Sequence, residues 1–78
     1  MSSTLYYKPI IEKEYKYFSD HIKWMMQKKF DVPWVTGVIL SKHDIVYFSG
    51  LVDAGVEGAQ KVIDAINKYG TIKIWEEA

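Results

Sequence analysis

The stretch "SGLVDAGVEGA" holds three of the five glycines of the 78-residue chain and is its nearest approach to a chemical motif. Glycines that lead into a helix can present backbone N–H groups to a phosphate. The spacing of Gly50, Gly55 and Gly58 matches neither a P-loop nor a dinucleotide-binding fingerprint. Asp53 and Glu57 would also repel an anion at this place. We therefore predict that Gly55 and Gly58 allow the first turns of the following helix to press against the sheet, and that the stretch binds no phosphate.

The other residue types that perform catalysis or bind metals are sparse. The two histidines, His21 and His43, lie far apart in the sequence and the chain has no cysteine, so a zinc-type site is not indicated. The serines have no evident base beside them. The carboxylates fall at predicted turns and helix starts, where capping and solubility favour them. We therefore predict no enzymatic activity, no cofactor and no bound metal.

The composition indicates a protein interface instead. Ten lysines balance ten carboxylates, so the net charge is zero, and arginine is absent. Proteins that hold duplex DNA usually carry a basic excess, and arginine is the usual side chain for bidentate contacts with phosphate or guanine. Aromatic residues make up 15% of the chain and apolar ones 49%, more than so small a domain can bury. Some aromatic side chains must therefore lie on the surface, where contiguous patches mark binding sites.

The sequence also carries signals of compartment and organisation. No apolar run is long enough to span a bilayer, and the first residues show no signal-peptide pattern. The absence of cysteine fits a reducing compartment. We expect a single domain over residues 1–78, located in the cytoplasm and without membrane contact. Lysine as the sole strong base, with many isoleucines and tyrosines, is associated with AT-rich genomes such as those of some bacteria, phages and archaeal viruses.

Hydrophobic periodicity predicts an alternation of strands and helices. Apolar residues recur at three- and four-residue steps between positions 11 and 30, which is typical of one amphipathic helix. Asp53 is a suitable N-cap for a second helix, and Gly70 is a suitable stop. The predicted elements are strand 4–8, helix 11–30, strands 34–40 and 45–51, helix 53–69 and strand 71–75. This order, β-α-β-β-α-β, predicts a ferredoxin-like α+β fold: a four-stranded antiparallel sheet with two helices packed on one face.

Side-chain alternation assigns each strand residue to a face of the sheet. With Lys42 and His43 as a two-residue hairpin turn, Phe48 would cover Gly37 on the face beneath the helices. That register places Val35, Gly37, Ile39, Val46 and Phe48 inward, together with Leu5, Tyr7, Ile72 and Ile74. A slip of one residue would exchange the two faces.

Two surfaces are then candidate binding sites. The first is the open sheet face, with Lys8 and Lys73 at its edges and a platform made of Tyr6, Trp34, Val38, Tyr47 and Trp75. The second is a ridge on the first helix, made of Tyr17, His21, Trp24 and Lys28. Tryptophan and tyrosine dominate the energetics of protein interfaces. Alternatives stay open: the platform could be covered by the chain's tail or by a second copy, and the ridge could only overlap the edge of the core.

The function that these features favour is a small protein-binding module that acts through its aromatic surface. Its partner would be another protein or a second copy of the chain, and a compact inhibitor or accessory protein of a phage or virus fits the size. The alternative is a single-stranded nucleic-acid-binding domain, because RNA-recognition domains share the predicted topology and stack bases on aromatics of their central strands. The basic-Gly-aromatic signature of such domains is missing from "DIVYFSGL", so we rank this alternative second.

Overall fold

Four strands and three α-helices are formed by residues 2–78, the part of the chain that the computed structural model describes. In chain order they are strands β1 (Thr4–Pro9) and β2 (Lys16–Phe18), helix α1 (Asp20–Phe30), strand β3 (Val38–Leu40), helices α2 (Ile45–Asp53) and α3 (Ala59–Tyr69), and strand β4 (Ile72–Glu77). The strands lie in the order β2-β1-β4-β3, each antiparallel to its neighbours. The predicted class, α+β with a four-stranded antiparallel sheet, is confirmed.

The central strands β1 and β4 each have one buried and one outward side. Leu5, Ile72 and Ile74 are completely buried beneath the helices. Their neighbours Tyr6 and Trp75, which lie opposite each other across the two strands, are on the other face. Side chains alternate along a strand with a period of two residues, so the predicted facing of both strands is confirmed.

The helices cover the buried face of the sheet. α1 contributes Ile22 and Met26, and α3 contributes Val62 and Ile66, all four completely buried. Residues four positions apart lie on the same side of a helix, so each pair forms part of one apolar stripe. α3 ends before Gly70, at the predicted stop.

Gly58, in the glycine-rich stretch, packs against α1. A Cβ atom at Gly58 would lie only 2.7 Å from Cγ1 of Ile22, and the backbone φ of +91° also favours glycine. Gly58 therefore allows close packing, as predicted, but its close neighbour is α1 and not the sheet. Apart from Gly55 itself and its two chain neighbours, no described residue has an atom within 4 Å of a Cβ placed at Gly55, so the packing role predicted for it is wrong. Asp53 closes α2 and does not cap the next helix, which begins only at Ala59.

Helix α1 is shorter than predicted, because residues 11–19 do not join it. The chain turns after Pro9 and returns as β2, with Phe18 opposite Leu5. Ile11, at the start of the predicted apolar stripe, is 93% exposed, whereas Phe18 is buried. Backbone pairing with β1 therefore replaces the helical hydrogen bonds that the periodicity indicated.

The predicted strand 45–51 is instead part of helix α2. One turn of 3-10 helix, Lys42–Asp44, precedes it and begins with a capping box. The backbone N–H of Ser41 donates to Oδ2 of Asp44 at 2.9 Å, and the N–H of Asp44 donates to the carbonyl of Ser41. Such a box starts a helical segment, not a hairpin. Phe48 is buried as predicted, but it lies in the helical layer and does not pair with a strand residue.

A backbone irregularity at Gly37 alters the pairing of the segment before β3. Val38 lies opposite Ile74, so a regular antiparallel ladder would place Thr36 opposite Glu76. Instead the N–H of Glu76 donates to the carbonyl of Val35 at 2.8 Å. Gly37 has a φ of +115°, which accommodates the one extra residue of a β-bulge.

The bulge reverses the predicted facing of β3. Val35, before the bulge, is completely buried, as the alternation predicts. Beyond the bulge Val38 packs against the core, Leu40 is completely buried and Ile39 is half exposed. The predictions of Ile39 inward and Val38 outward are therefore wrong, because one inserted residue exchanges the two faces.

The order of elements is β-β-α-β-α-α-β, which differs from the predicted order. Strand β2 is inserted before α1, and α2 occupies the segment predicted as the third strand. The ferredoxin-like connection predicted from the sequence is therefore not the one observed. None of the helices in the described part of the chain has the length and hydrophobicity that crossing a bilayer requires.

Candidate functional site

A cleft of about 510 Å³ opens on the sheet face that the helices leave uncovered. We call it the sheet-face cleft. Its lining consists of Lys8, Lys13, Tyr15, Trp34, Thr36, Lys73, Trp75 and Glu76. Three of the five predicted platform residues therefore lie at this place: Trp34 and Trp75 line the cleft, and Tyr6 stacks on Trp75.

A row of aromatic side chains crosses three adjacent strands beside the cleft. Tyr6 of β1 lies opposite Tyr17 of β2 on one side and opposite Trp75 of β4 on the other. The rings of Tyr6 and Trp75 stack with their centroids 5.9 Å apart. Tyr15 packs edge-on against both, with centroid distances of 5.2 and 5.9 Å. Because these geometries are favourable for aromatic pairs, the rings support one another as a fixed apolar surface.

Three lysines give the cleft a local positive charge. Lys8 and Lys73 lie directly opposite each other on β1 and β4, where like charges repel. Lys13 lines the same cleft. Within residues 2–78, no carboxylate oxygen lies within 4.0 Å of these ammonium groups. The zero net charge of the chain therefore conceals a local excess of lysines along this cleft, while the Glu77 carboxylate lies further along the same face and accepts a hydrogen bond from the Trp75 indole.

A buried carboxylate holds the segment that carries Trp34. The side chain of Glu76 is 5% exposed. Its Oε1 accepts hydrogen bonds from the backbone N–H of Val35 at 2.9 Å and from Nε2 of Gln27 at 2.8 Å. Its Oε2 accepts one from the hydroxyl of Ser3. The backbone N–H of Glu76 also donates to the carbonyl of Val35. Together these hydrogen bonds attach Val35, the residue after Trp34, to strand β4.

The hydrogen bonds also keep this carboxylate ionised. Burial acts to raise the pKa of Glu76, but the donors from Ser3, Gln27 and Val35, together with the Lys23 ammonium, outweigh burial and lower the pKa below its usual value. Lys23 is itself buried, and its Nζ donates to the carbonyl of Ser3 at 2.8 Å. The charged carboxylate is therefore the form that fits the folded chain.

A second, smaller cleft of about 240 Å³ lies between α1 and α2. We call it the helix groove. Its lining consists of His21, Trp24, Met25, Lys28, Tyr47, Leu51 and Val56. Three of the four predicted ridge residues, His21, Trp24 and Lys28, thus lie together on α1. Trp24 is 55% exposed and Tyr47 is 40% exposed, so two large aromatic side chains are open to solvent around an apolar cleft.

Polar contacts border the helix groove, and one of them joins α2 to α1. Nε2 of His21 lies 3.4 Å from Oε2 of Glu57. Nζ of Lys29 lies 4.3 Å from the centroid of the Tyr47 ring and 3.6 Å from Oδ1 of Asp44. A cation at this distance from a tyrosine ring is attracted to it. The position of Tyr47 is therefore set by contacts across the two helices.

Three predicted site residues lie elsewhere than expected. The sequence predicts Tyr17 on the helix ridge, but it lies on β2 and joins the aromatic row of the open face. It predicts Tyr47 on the sheet platform, but Tyr47 belongs to α2 and lines the helix groove. Val38 packs against the core instead of the open face. These corrections follow from the β1–β2 hairpin, the helical state of residues 45–53 and the bulge at Gly37.

Two further lysines lie beside the ring of Tyr69, at the end of α3 and away from the sheet-face cleft. The Nζ atoms of Lys16 and Lys68 lie 5.1 and 5.2 Å from the centroid of the Tyr69 ring. Burial acts to raise the pKa of the Tyr69 phenol, but contacts with these two ammonium groups outweigh it and lower the pKa. Burial raises the pKa of the neighbouring Tyr7 phenol. Lys16 and Lys68 are thus engaged with an aromatic ring of the chain itself.

Three residues of the sheet-face cleft are missed by the sequence reasoning. Tyr15 and Lys13 fall in the segment predicted as helix, where their position beside the sheet has no signal in the periodicity. Glu76 could have been found, because it continues the inward alternation of Ile72 and Ile74 along β4. A carboxylate at an inward position predicts a buried polar network.

Within the described residues, no group of three or more His, Cys, Asp and Glu side chains is placed to hold a metal ion. The chain matches no protein-family model, and neither a curated protein nor a solved structure is significantly similar to it.

Proposed function

We propose that this chain is a protein-binding module without catalytic activity, and that it docks an apolar segment of a partner protein in the helix groove. The observation that carries the proposal is the exposure of Trp24 and Tyr47 around one apolar cleft. Large apolar side chains open to solvent beside a cleft are typical of interface centres. Tryptophan and tyrosine at such centres contribute most of the binding energy.

The surroundings of the helix groove suit such a partner. Leu51 and Val56 supply aliphatic contacts inside the groove. The His21–Glu57 pair and Lys28 add charged groups beside them. An apolar centre with a polar rim is the usual anatomy of a protein interface. An amphipathic helix, with apolar anchors three or four residues apart, would match a groove formed by two helices.

The sheet-face cleft is a weaker candidate for this role. Its lysines, Lys8, Lys13 and Lys73, lack carboxylate partners within residues 2–78. Lysine is depleted at the centres of protein interfaces, because its ammonium group is costly to desolvate. The protein-binding role predicted for the sheet platform is therefore assigned to the helix groove.

The solution mass distinguishes the two kinds of partner. If the partner is a second copy, light scattering should show a dimer that is insensitive to salt and that dissociates in the Trp24→Ala variant. A monomer at all concentrations means that the partner is a different protein. The Trp34→Ala variant is the matched control, because it removes the same side chain from the other surface.

Site-directed photo-cross-linking tests the proposal itself. A photoreactive benzoylphenylalanine in place of Tyr47 should give one discrete adduct in a lysate of the native host. The adduct should persist at high salt and disappear when Trp24→Ala is added, because the groove loses its main anchor. The same probe at Asn67, exposed on α3, should not give that adduct. The proposal is contradicted if the adduct still forms in the Trp24→Ala variant, or if the probe at position 47 gives no adduct.

A further inference from the structure

We infer that the sheet-face cleft is a second, separate binding site and that its ligand is single-stranded nucleic acid. The inference rests on two features that occur on one face: aromatic rings that can stack with bases, and ammonium groups that lack anionic partners. Nucleic-acid strands carry these two complementary features in the same molecule. No residue that lines this cleft also lines the helix groove.

The aromatic side chains provide the stacking surface. Trp34 and Trp75 line the cleft from two different segments, the loop before β3 and strand β4. Trp34 is 40% exposed, so part of its indole is open to a ligand. Tyr6 stacks on Trp75 and holds that ring in place. Stacking of a base on an aromatic side chain contributes roughly 1–3 kcal/mol and tolerates any base.

The lysines lie where the phosphates of a strand would be if its bases stacked on the aromatic rings. Tyr6 and Lys8 are two residues apart on β1, and Trp75 and Lys73 are two residues apart on β4, so each pair shares the open face. Two residues along a strand span about 7 Å, which is the scale of the reach from a base to its own phosphate. The two lysines lie opposite each other. A phosphate between them would relieve their repulsion.

This ligand explains the cleft better than other aromatic or anionic ligands do. Sugars stack on tryptophan but need acceptors as well as donors, and the only carboxylate in the lining, Glu76, is already hydrogen-bonded to Ser3, Gln27 and Val35. An acidic peptide would satisfy the lysines but offers no series of flat rings. Duplex DNA hides the faces of its bases. The absence of arginine removes the usual bidentate readout of guanine, so binding should be indifferent to sequence.

Fluorescence anisotropy of a fluorescein-labelled oligothymidine provides the test. With three lysine contacts, the logarithm of the association constant should fall with the logarithm of salt concentration with a slope of roughly −2. The Lys13→Gln/Lys73→Gln variant should bind roughly tenfold more weakly, with a shallower slope. The Lys42→Gln/Lys61→Gln variant has the same net charge as that double variant but removes exposed lysines that line neither cleft, so it should bind like the unmodified chain.

Tryptophan fluorescence provides an independent readout of the place of binding. In a Trp24→Phe variant only Trp34 and Trp75 remain, so bound bases should quench the emission. Absence of binding at low salt overturns the inference, as does equal weakening in both double-lysine variants. A mononucleotide that competes as well as the oligonucleotide, or a duplex that competes better, also overturns it. Trp24→Ala should leave this binding intact, so its outcome is separate from that of the protein-binding proposal.

Discussion

The sheet-face cleft and the helix groove contain the same kinds of aromatic side chain but have different neighbours. Trp34 and Trp75 lie among lysines that lack carboxylate partners within residues 2–78, whereas Trp24 and Tyr47 lie among aliphatic side chains. An aromatic ring is a common element of many interfaces. The neighbours decide its ligand, because uncompensated ammonium groups favour a polyanion and aliphatic groups favour another apolar surface.

The two surfaces also differ in how the fold maintains them. The wall of the sheet-face cleft that contains Trp34 depends on hydrogen bonds to one buried carboxylate, Glu76. The helix groove depends on packing between two helices and on Lys29, which contacts Tyr47 and Asp44. A substitution or a change of solvent can therefore disturb one surface and spare the other.

The largest effect is expected from Glu76→Leu. The substitution leaves the buried Val35 N–H without its acceptor and removes one of the two acceptors of the Gln27 amide. It also removes a carboxylate that stabilises the Lys23 ammonium, which keeps its ion pair with Asp20. A buried group left unsatisfied costs about 1–3 kcal/mol, so with the smaller losses added we expect the free energy of unfolding to fall by roughly 3 kcal/mol. Urea denaturation followed by circular dichroism measures this change.

Glu77→Gln is the matched control for that substitution. Glu77 is the next residue on β4 but lies on the exposed face, where it accepts a hydrogen bond from the Trp75 indole at 2.7 Å. Exposed substitutions of this kind change stability by at most about 0.5 kcal/mol. Equal unfolding free energies for Glu76→Leu and the unmodified chain would contradict the role given to the buried network.

Trp24→Ala should separate the two surfaces by function. We expect it to weaken binding of the groove partner by about 2 kcal/mol, or roughly thirtyfold, because an exposed tryptophan beside an apolar cleft is a typical hot spot. Binding of the oligonucleotide should not change. Trp34→Ala should have the opposite pattern. Isothermal titration calorimetry with each ligand measures both affinities, and a variant that weakens both would mean that the surfaces are coupled.

Salt should distinguish the surfaces without any substitution. Raising the concentration from about 50 to 200 mM should weaken oligonucleotide binding by roughly 16-fold, since the expected slope is about −2. Partner binding in the groove should change far less, because its centre carries few charges. Salt-independent binding of the oligonucleotide would mean that the lysines of the sheet face do not contact phosphates.

Lowering the pH should remove the stabilisation that the ionised Glu76 carboxylate provides. The pKa of Glu76 is lowered in the folded chain, so its contribution to stability is present above the ordinary carboxyl pKa and is lost as the pH falls through the lowered value. In Glu76→Gln this part of the acid dependence should be absent. Urea denaturation of both proteins over a series of pH values tests the difference, and parallel curves would contradict it.

The sequence predicted the parts of the fold in which local pattern and tertiary pairing agree. The alternation of Leu5 and Tyr7 on β1, and of Ile72 and Ile74 on β4, gave the correct facing of both central strands. These strands are regular and have one buried face, so the period of two residues is expressed directly. Tyr6 and Trp75 were consequently predicted on the face where they lie, whereas Trp34 was placed there from the register of the predicted hairpin.

The predictions of secondary structure were wrong where one local sequence pattern is compatible with two structures. The spacing from Ile11 to Phe18 fits a helical stripe, yet pairing with β1 makes residues 16–18 a strand. The segment "IVYFSGL" has strand propensity, yet the capping box of Ser41 and Asp44 begins a helical segment. In this segment the packing of apolar side chains in the helical layer overrides the intrinsic preference of β-branched residues for strands.

The bulge at Gly37 shows a limit of a different kind. Nothing in the alternation of residues 34–40 reveals that one residue is inserted, and the insertion exchanges the faces of Val38 and Ile39. A single irregular residue therefore removed Val38 from the predicted platform. The aromatic content of the surface was predictable, but its division into two chemically different sites depended on tertiary contacts.

The most direct test of the account is an NMR titration of isotopically labelled protein with a short oligothymidine, observed through the indole N–H signals of the three tryptophans. The account predicts that the signals of Trp34 and Trp75 shift and saturate together while that of Trp24 stays in place. A shift of Trp24 without the other two, or no shift of any indole at saturating oligonucleotide, would contradict the division of the surface into a nucleic-acid site and a protein site.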